Sequence, residues 1–125
     1  MVIEGGAHMV AIVDDEESVR KALQRLLGAA GLNVNSYASA EDFLKSEQLD
    51  ATGCLVADIR MPGMSGLDLL AELNRKHIPI PTILITAHGD ENLRMQAMRA
   101  GAVKFLPKPV DGATLVASVQ AALQF

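Results

Sequence analysis

The sequence predicts a doubly wound α/β domain, a five-stranded parallel sheet with helices on both faces. Three observations support that expectation. Short apolar runs alternate with amphipathic stretches from residue 9 to the C-terminal end, the order that builds β-α units. The runs "VAIV", "CLVA" and "TILI" are apolar at consecutive positions, as strands covered on both faces must be. The connections are short, with no linker, repeat or low-complexity segment among them, and the crossovers should be right-handed.

The elements follow in order. "MVAIV" (9–13), rich in β-branched residues, is the first strand. Val19, Leu23, Leu26, Leu27 and Ala30 come next at helical spacing, and Gly31 stops that helix. "LNVNSY" (32–37) is a short second strand, and Ser39, three residues before Asp42, caps a short helix carrying Phe43 and Leu44. "CLVAD" (54–58) is the third strand. Leu67, Leu70, Ala71 and Asn74 are expected to face one way on a helix that begins near Ser65. "IPIPTILIT" (78–86) is a fourth strand whose two prolines suit its start and not its middle. Asp90 caps a helix with Leu93, Ala97 and Ala100 inward, and "AVKFL" (102–106) is the fifth strand. After "PKPVDG", Leu115, Val119, Ala122 and Leu123 line the last helix.

Composition narrows the function. The 125 residues suit one compact domain, and 50% hydrophobic residues supply a sizeable core and argue against disorder. A net charge of −4 is too mildly acidic to recommend nucleic acid or an anionic membrane as the main partner. Tyr37, Phe43, Phe105 and Phe125 are too scattered for a base-stacking platform. Cys54, the one cysteine, excludes an internal disulfide and a Cys-rich metal site, and it fits a reducing cytoplasm. No apolar run reaches the roughly 18 residues of a membrane helix. The opening "MVIEGGAHM" lacks the pattern of a signal peptide. Residues 1–8 read as a cloning remnant, which leaves 9–125 as the domain.

In open parallel sheets the site lies beyond the carboxyl ends of the strands. The first strand ends there in Asp14-Asp15-Glu16, the third in Asp58 and the fourth in Thr86, while the fifth runs into Lys108. Acids, a hydroxyl and an ammonium thus converge from distant segments. Two carboxylates about 4 Å apart repel by roughly 4 kcal/mol at an effective dielectric of about 20. A third requires neutralisation or raised pKa values, and Lys108 offsets only part of the charge. An oxygen-only cluster without cysteine or histidine favours a hard divalent ion. Mg²⁺ suits it best, because Mg²⁺ keeps waters and is completed by phosphate oxygens. Asp58, between the acidic pair and the Lys/Thr side, is the natural nucleophile, and its attack on a phosphoryl group gives an acyl phosphate. Mg²⁺ and Lys108 would neutralise the equatorial oxygens. Thr86 would hydrogen-bond an oxygen that exists only after transfer. Each piece alone has an ordinary account, such as helix capping for the acidic pair or turn formation for Asp58. Four strand ends in this order do not.

Asp14-Asp15-Glu16, the run from Asp58 through "IRMPGMSG", Thr86-Ala87 and Lys108-Pro109 together resemble the receiver domain of two-component response regulators, over essentially the whole chain after the leader. The stretch "ITAHGDENLRMQAMRAGAVKFLPKP" further resembles the FixJ-type subgroup of transcriptional regulators. The resemblance implies a flavodoxin/CheY-like (βα)5 fold with strand order 2-1-3-4-5. It also implies a switch domain rather than a turnover enzyme. Asp58 then accepts phosphate from a phosphohistidine on a partner histidine kinase, forming 4-aspartylphosphate. Asp15 and Asp58 ligate Mg²⁺ directly, the backbone carbonyl of Arg60 is a further ligand, and Asp14 acts through a coordinated water. Lys108 pairs with the phosphoryl group, Thr86 follows it inward, and Phe105 changes rotamer with Thr86. The Lys108-Pro109 bond is expected to be cis. Phe105 has no hydroxyl, so only its packing can report the switch. Arg60 and His88, each two residues beyond a site residue, either flank the phosphoryl group or simply face solvent.

The expected consequence is a changed surface on the fourth helix and fifth strand, populated by Arg94, Met95, Met98, Arg99 and Lys104. There, phosphorylation would bias a monomer–dimer equilibrium. The leader favours a shortened form of a longer regulator. Nucleic acid would then be contacted only through a helix-turn-helix absent from this chain, and no membrane is expected. Three rival readings are weaker. A haloacid-dehalogenase-class phosphatase needs an acid where Arg60 stands, and a flavin or nucleotide carrier needs a phosphate loop where "DDEES" stands. A degenerate receiver that only binds partners would lack site residues that are present here.

Overall fold

The computed structural model describes residues 9–123, so the expected leader (1–8) and Phe125 lie outside the described residues. Five strands, β1 (Met9–Val13), β2 (Asn33–Tyr37), β3 (Thr52–Asp58), β4 (Thr82–Thr86) and β5 (Lys104–Pro107), form one parallel sheet in the order β2-β1-β3-β4-β5. Five helices alternate with them: α1 (Glu17–Ala29), α2 (Ala40–Leu44), α3 (Gly66–Arg75), α4 (Glu91–Arg99) and α5 (Gly112–Leu123). A single 3-10 turn at Leu49–Ala51 precedes β3.

The two-residue period of the strands divides the core between the two faces. Ala11, Val13, Leu55, Ala57 and Leu84 point to one side, where they meet Phe43, Leu69, Leu70, Leu73 and Ala97 of α2, α3 and α4. Val10, Ile12, Cys54, Val56, Ile83 and Ile85 point to the other, against Leu23 and Leu27 of α1 and Leu115, Val119 and Leu123 of α5. Each fully buried Leu, Ile or Phe contributes about 1.5–3 kcal/mol relative to exposure. Consecutive apolar residues are therefore needed in the three central strands. Burial also pushes the Cys54 thiol up to about 12, so it is an inert core residue.

The expected caps are in place. Ser39 Oγ accepts from Asp42 N at 3.0 Å, and the Asp90 carboxylate accepts from Leu93 N at 2.8 Å. The α3 start is a full capping box, with Ser65 and Asp68 each accepting the other's backbone N–H.

Three expectations need correction beyond the later start of β4, at Thr82 and not at residue 78, which leaves Pro79 and Pro81 outside the strand. The inward face of α3 is Gly66, Leu69, Leu70 and Leu73, whereas Ala71 and Asn74 are exposed and Leu67 is half-buried. Gly66 sets that phase, because a Cβ there would sit 2.5 Å from the Asp58 carbonyl oxygen. The residue must face β3, and i+3, i+4 and i+7 follow it into the core. Second, Ala30 is the exposed cap of α1 and not an inward residue. Third, β5 begins at Lys104 and not at residue 102, because Gly101 (φ +101°) and Ala102 close the end of α4 through Ala102 N–H to Ala97 O at 3.0 Å.

Candidate phosphoacceptor site

The sheet register brings the expected residues to one edge. Val13 pairs with Ala57, Asp58 with Ile85, and Thr86 with Pro107, so the carboxyl ends of β1, β3, β4 and β5 lie side by side. The chain continues this ladder past the strands: Asp14 N–H donates to Tyr37 O (3.1 Å), Ile59 N–H to Ile85 O (2.9 Å) and Lys108 N–H to Thr86 O (2.9 Å). The Lys108-Pro109 bond is cis.

Asp14, Asp15 and Asp58 each offer a carboxylate oxygen, and these oxygens lie within 4.8 Å of one another. Asp14 is fully buried, Asp58 nearly so, and Asp15 is exposed. Lys108 Nζ donates to Asp14 Oδ2 and to Asp58 Oδ2, each at 2.9 Å, with Glu16 Oε1 at 3.7 Å. The remaining carboxylate oxygens take backbone donors. Glu16 N–H reaches Asp14 Oδ1 at 2.9 Å, and Arg60 N–H reaches Asp58 Oδ1 at 3.2 Å. Asp15 accepts no hydrogen bond among the described residues.

One ammonium for three carboxylates leaves the pocket short of positive charge. Burial pushes the Asp58 carboxyl above its usual range, and the Asp14 charge adds to the rise despite the opposing hydrogen bond from Lys108. For Lys108, burial works against the ammonium, but its bonds to Asp14 and Asp58 prevail and its pKa is raised. The donor set is all oxygen, negatively charged and open on the Asp15 side. A hard divalent cation such as Mg²⁺ fits it.

Thr86 is fully buried, and its hydroxyl accepts from His88 N–H at 3.3 Å. Phe105 is half-buried against the core on the α4 side. Gly89 lies against both: a Cβ there would be 2.8 Å from Phe105 Cζ and 3.0 Å from the Thr86 methyl. The side chains of Arg60 and His88 are exposed. Beside Lys108, an apolar groove of about 520 Å³ runs between α1 (Val19, Leu23, Leu26) and the two loops that carry Ala87, after β4, and Pro109 and Val110, after β5.

Sequence reasoning missed two residues that support this site. Arg20 reaches back from α1 to the Asp14 carbonyl (Nη1 to O, 2.7 Å), and the Glu41 carboxylate on α2 accepts from Met64 N–H at 3.1 Å in the loop after Asp58. Neither has a local sequence signature.

The family model for the response regulator receiver domain matches residues 10–120. The chain belongs to that family. Receiver domains are signalling switches rather than turnover enzymes, and this one has the family's acidic pocket. It is 45% identical over 114 residues to the transcriptional regulatory protein FixJ of Azorhizobium caulinodans, across 91% of this chain and 54% of that protein. It is also 45% identical over 116 residues to nodulation protein W of Bradyrhizobium diazoefficiens, covering 93% of this chain and 51% of that protein. The receiver thus spans about half the length of the curated relatives it matches. Among solved structures, FixJ-N superposes with a TM-score of 0.84 at 41% identity, covering 98% of this chain and 96% of that one. StyR superposes at 0.85 and 44% identity, covering 93% and 59%.

Proposed function

We propose that this receiver takes a phosphoryl group onto Asp58 from a phosphohistidine of a histidine kinase, and that the modification changes the α4–β5–α5 surface. The observation that supports this most is the meeting of Asp14, Asp15 and Asp58 around Lys108 at the sheet edge. The Asp58 carboxylate attacks phosphorus, a P–O bond forms, and the P–N bond breaks. Its electron pair returns to the imidazole, which takes a proton from solvent. Asp15, Asp58 and the Arg60 carbonyl would hold Mg²⁺, with Asp14 acting through a water. When bound, the ion would supply positive charge to the equatorial phosphoryl oxygens. Lys108 now bridges two carboxylates, and it exchanges one of them for a phosphoryl oxygen. The apolar groove beside Lys108 suits the apolar side of a helix that presents the phosphohistidine.

The phosphoryl group adds about −1.5 to −2 charge and strong acceptor oxygens. Thr86 leaves His88 N–H as its partner and donates to one of those oxygens, the 87–90 loop follows, and Phe105 turns into the vacated space. On the surface that then changes, Met95, Met98 and Val103 are 40%, 41% and 45% exposed among Arg94, Arg99 and Lys104. Such a face suits a second phosphorylated copy. A transcriptional output accords with the names of the FixJ relatives, transcriptional regulatory proteins, and this reading carries with it a DNA-binding output domain and a cytoplasmic setting.

Intact mass after incubation with a small acyl-phosphate donor tests the reading. The wild type is expected to gain one phosphoryl group only when Mg²⁺ is present, and Asp58→Asn to gain none while still folded. Full labelling of Asp58→Asn would remove the assignment.

A further inference from the structure

The loop from Arg60 to Ser65 must keep a fixed shape, because it places the Arg60 backbone over Asp58. Its base is closed within β3 and α3. Gly66 N–H donates to Ile59 O at 3.0 Å, and Gly66 packs on the Asp58 carbonyl with no room for a Cβ. Its middle is held from elsewhere. Among the described residues, besides the Asp58 carboxylate on Arg60 N–H, the side-chain hydrogen bond that reaches residues 60–64 from another element comes from Glu41, whose Oε2 accepts Met64 N–H at 3.1 Å across 23 positions of sequence. The neighbouring Gly63 has φ +74°, and a Cβ on it would lie 2.8 Å from the same Oε2. The positive φ calls for glycine there, and the close approach shows how near the Glu41 carboxylate lies to the loop backbone. The carboxylate sits flush against the loop.

We infer that Glu41 is a positioning residue of the phosphoacceptor site, holding the loop after Asp58 so that Arg60 N–H stays on the Asp58 carboxylate and the Arg60 carbonyl stays available to the cation. The inference rests on the Mg²⁺ reading above for its consequence, and on the geometry alone for the clamp. A carboxylate accepting a backbone N–H is among the stronger hydrogen bonds, and outer partners of this kind typically change metal affinity by about 10–100-fold. Gln at the same place keeps an acceptor oxygen and loses the charge, so it separates the hydrogen bond from the electrostatics.

Two readouts on Glu41→Ala, Glu41→Gln and wild type test it: Mg²⁺ affinity by calorimetry, and amide hydrogen exchange at Arg60 and Met64. Glu41→Ala is expected to bind Mg²⁺ about 10-fold more weakly and to exchange both amides faster, while amides of the central strands stay protected. Glu41→Gln should return both readouts close to wild type. The inference is overturned if Glu41→Ala leaves Arg60 exchange unchanged, or if Glu41→Gln is as impaired as Glu41→Ala. Should the wild type itself bind no Mg²⁺, the functional reading fails, and the exchange data still decide whether Glu41 holds the loop.

Discussion

α3 and α4 are neighbours of similar length, 10 and 9 residues, and each follows a strand that ends in a site residue. They are attached very differently. α3 buries Gly66, Leu69, Leu70 and Leu73 and opens with a reciprocal capping box. α4 buries Ala97 alone, has a single-sided cap from Asp90, and exposes Met95 and Met98. The helix after Asp58 is anchored, and the helix after Thr86 is lightly held. A charge placed on Asp58 therefore meets a stiff wall on the β3–α3 side and a compliant one on the β4–α4 side. Local stability is drawn low where motion is needed.

The sharpest way to break this contrast is to cut an equivalent leucine from each helix. Leu73→Ala is expected to cost on the order of 3 kcal/mol, the usual range for a fully buried leucine, and Leu93→Ala about 1 kcal/mol because that side chain is only half-buried. Urea unfolding checks both. Equal losses would mean that α4 is as firmly held as α3.

A smaller effect tests the pocket itself. The Asp58 carboxyl is raised by burial and by Asp14, so its ionised form weighs against the fold above that raised pKa, and the burden lifts as pH falls toward the ordinary value of about 3.9. Lys108 also pairs with Asp14 at 2.9 Å, a contact that does not involve Asp58. Asp58→Asn should thus raise the thermal midpoint at neutral pH, with the gain shrinking as acid protonates the wild-type carboxyl. A gain that persists unchanged at acid pH would show that charge is not its cause.

Much of this arrangement was legible in the sequence. Apolar runs located the strands closely enough to show which residues stand at their carboxyl ends, and the parallel order then put Asp14, Asp58, Thr86 and Lys108 on one edge. The phase of α3 was not legible, because 67, 70, 71 and 74 fit a helical period as well as 66, 69, 70 and 73. The choice was made by contact between Gly66 and the Asp58 carbonyl, a matter of tertiary approach. Arg20 and Glu41 escaped for a related reason. Each acts on backbone in another segment, and a backbone partner leaves no residue-type pattern to read.

The most direct test of the stiff-and-soft account is amide hydrogen exchange along α3 and α4, with and without beryllium fluoride and Mg²⁺ as a mimic of the phosphoryl group on Asp58. The account predicts changed protection across residues 87–99 and in β5, with Leu69 to Leu73 unaltered. Equal change in α3, or none in α4 when the mimic is bound, would contradict it.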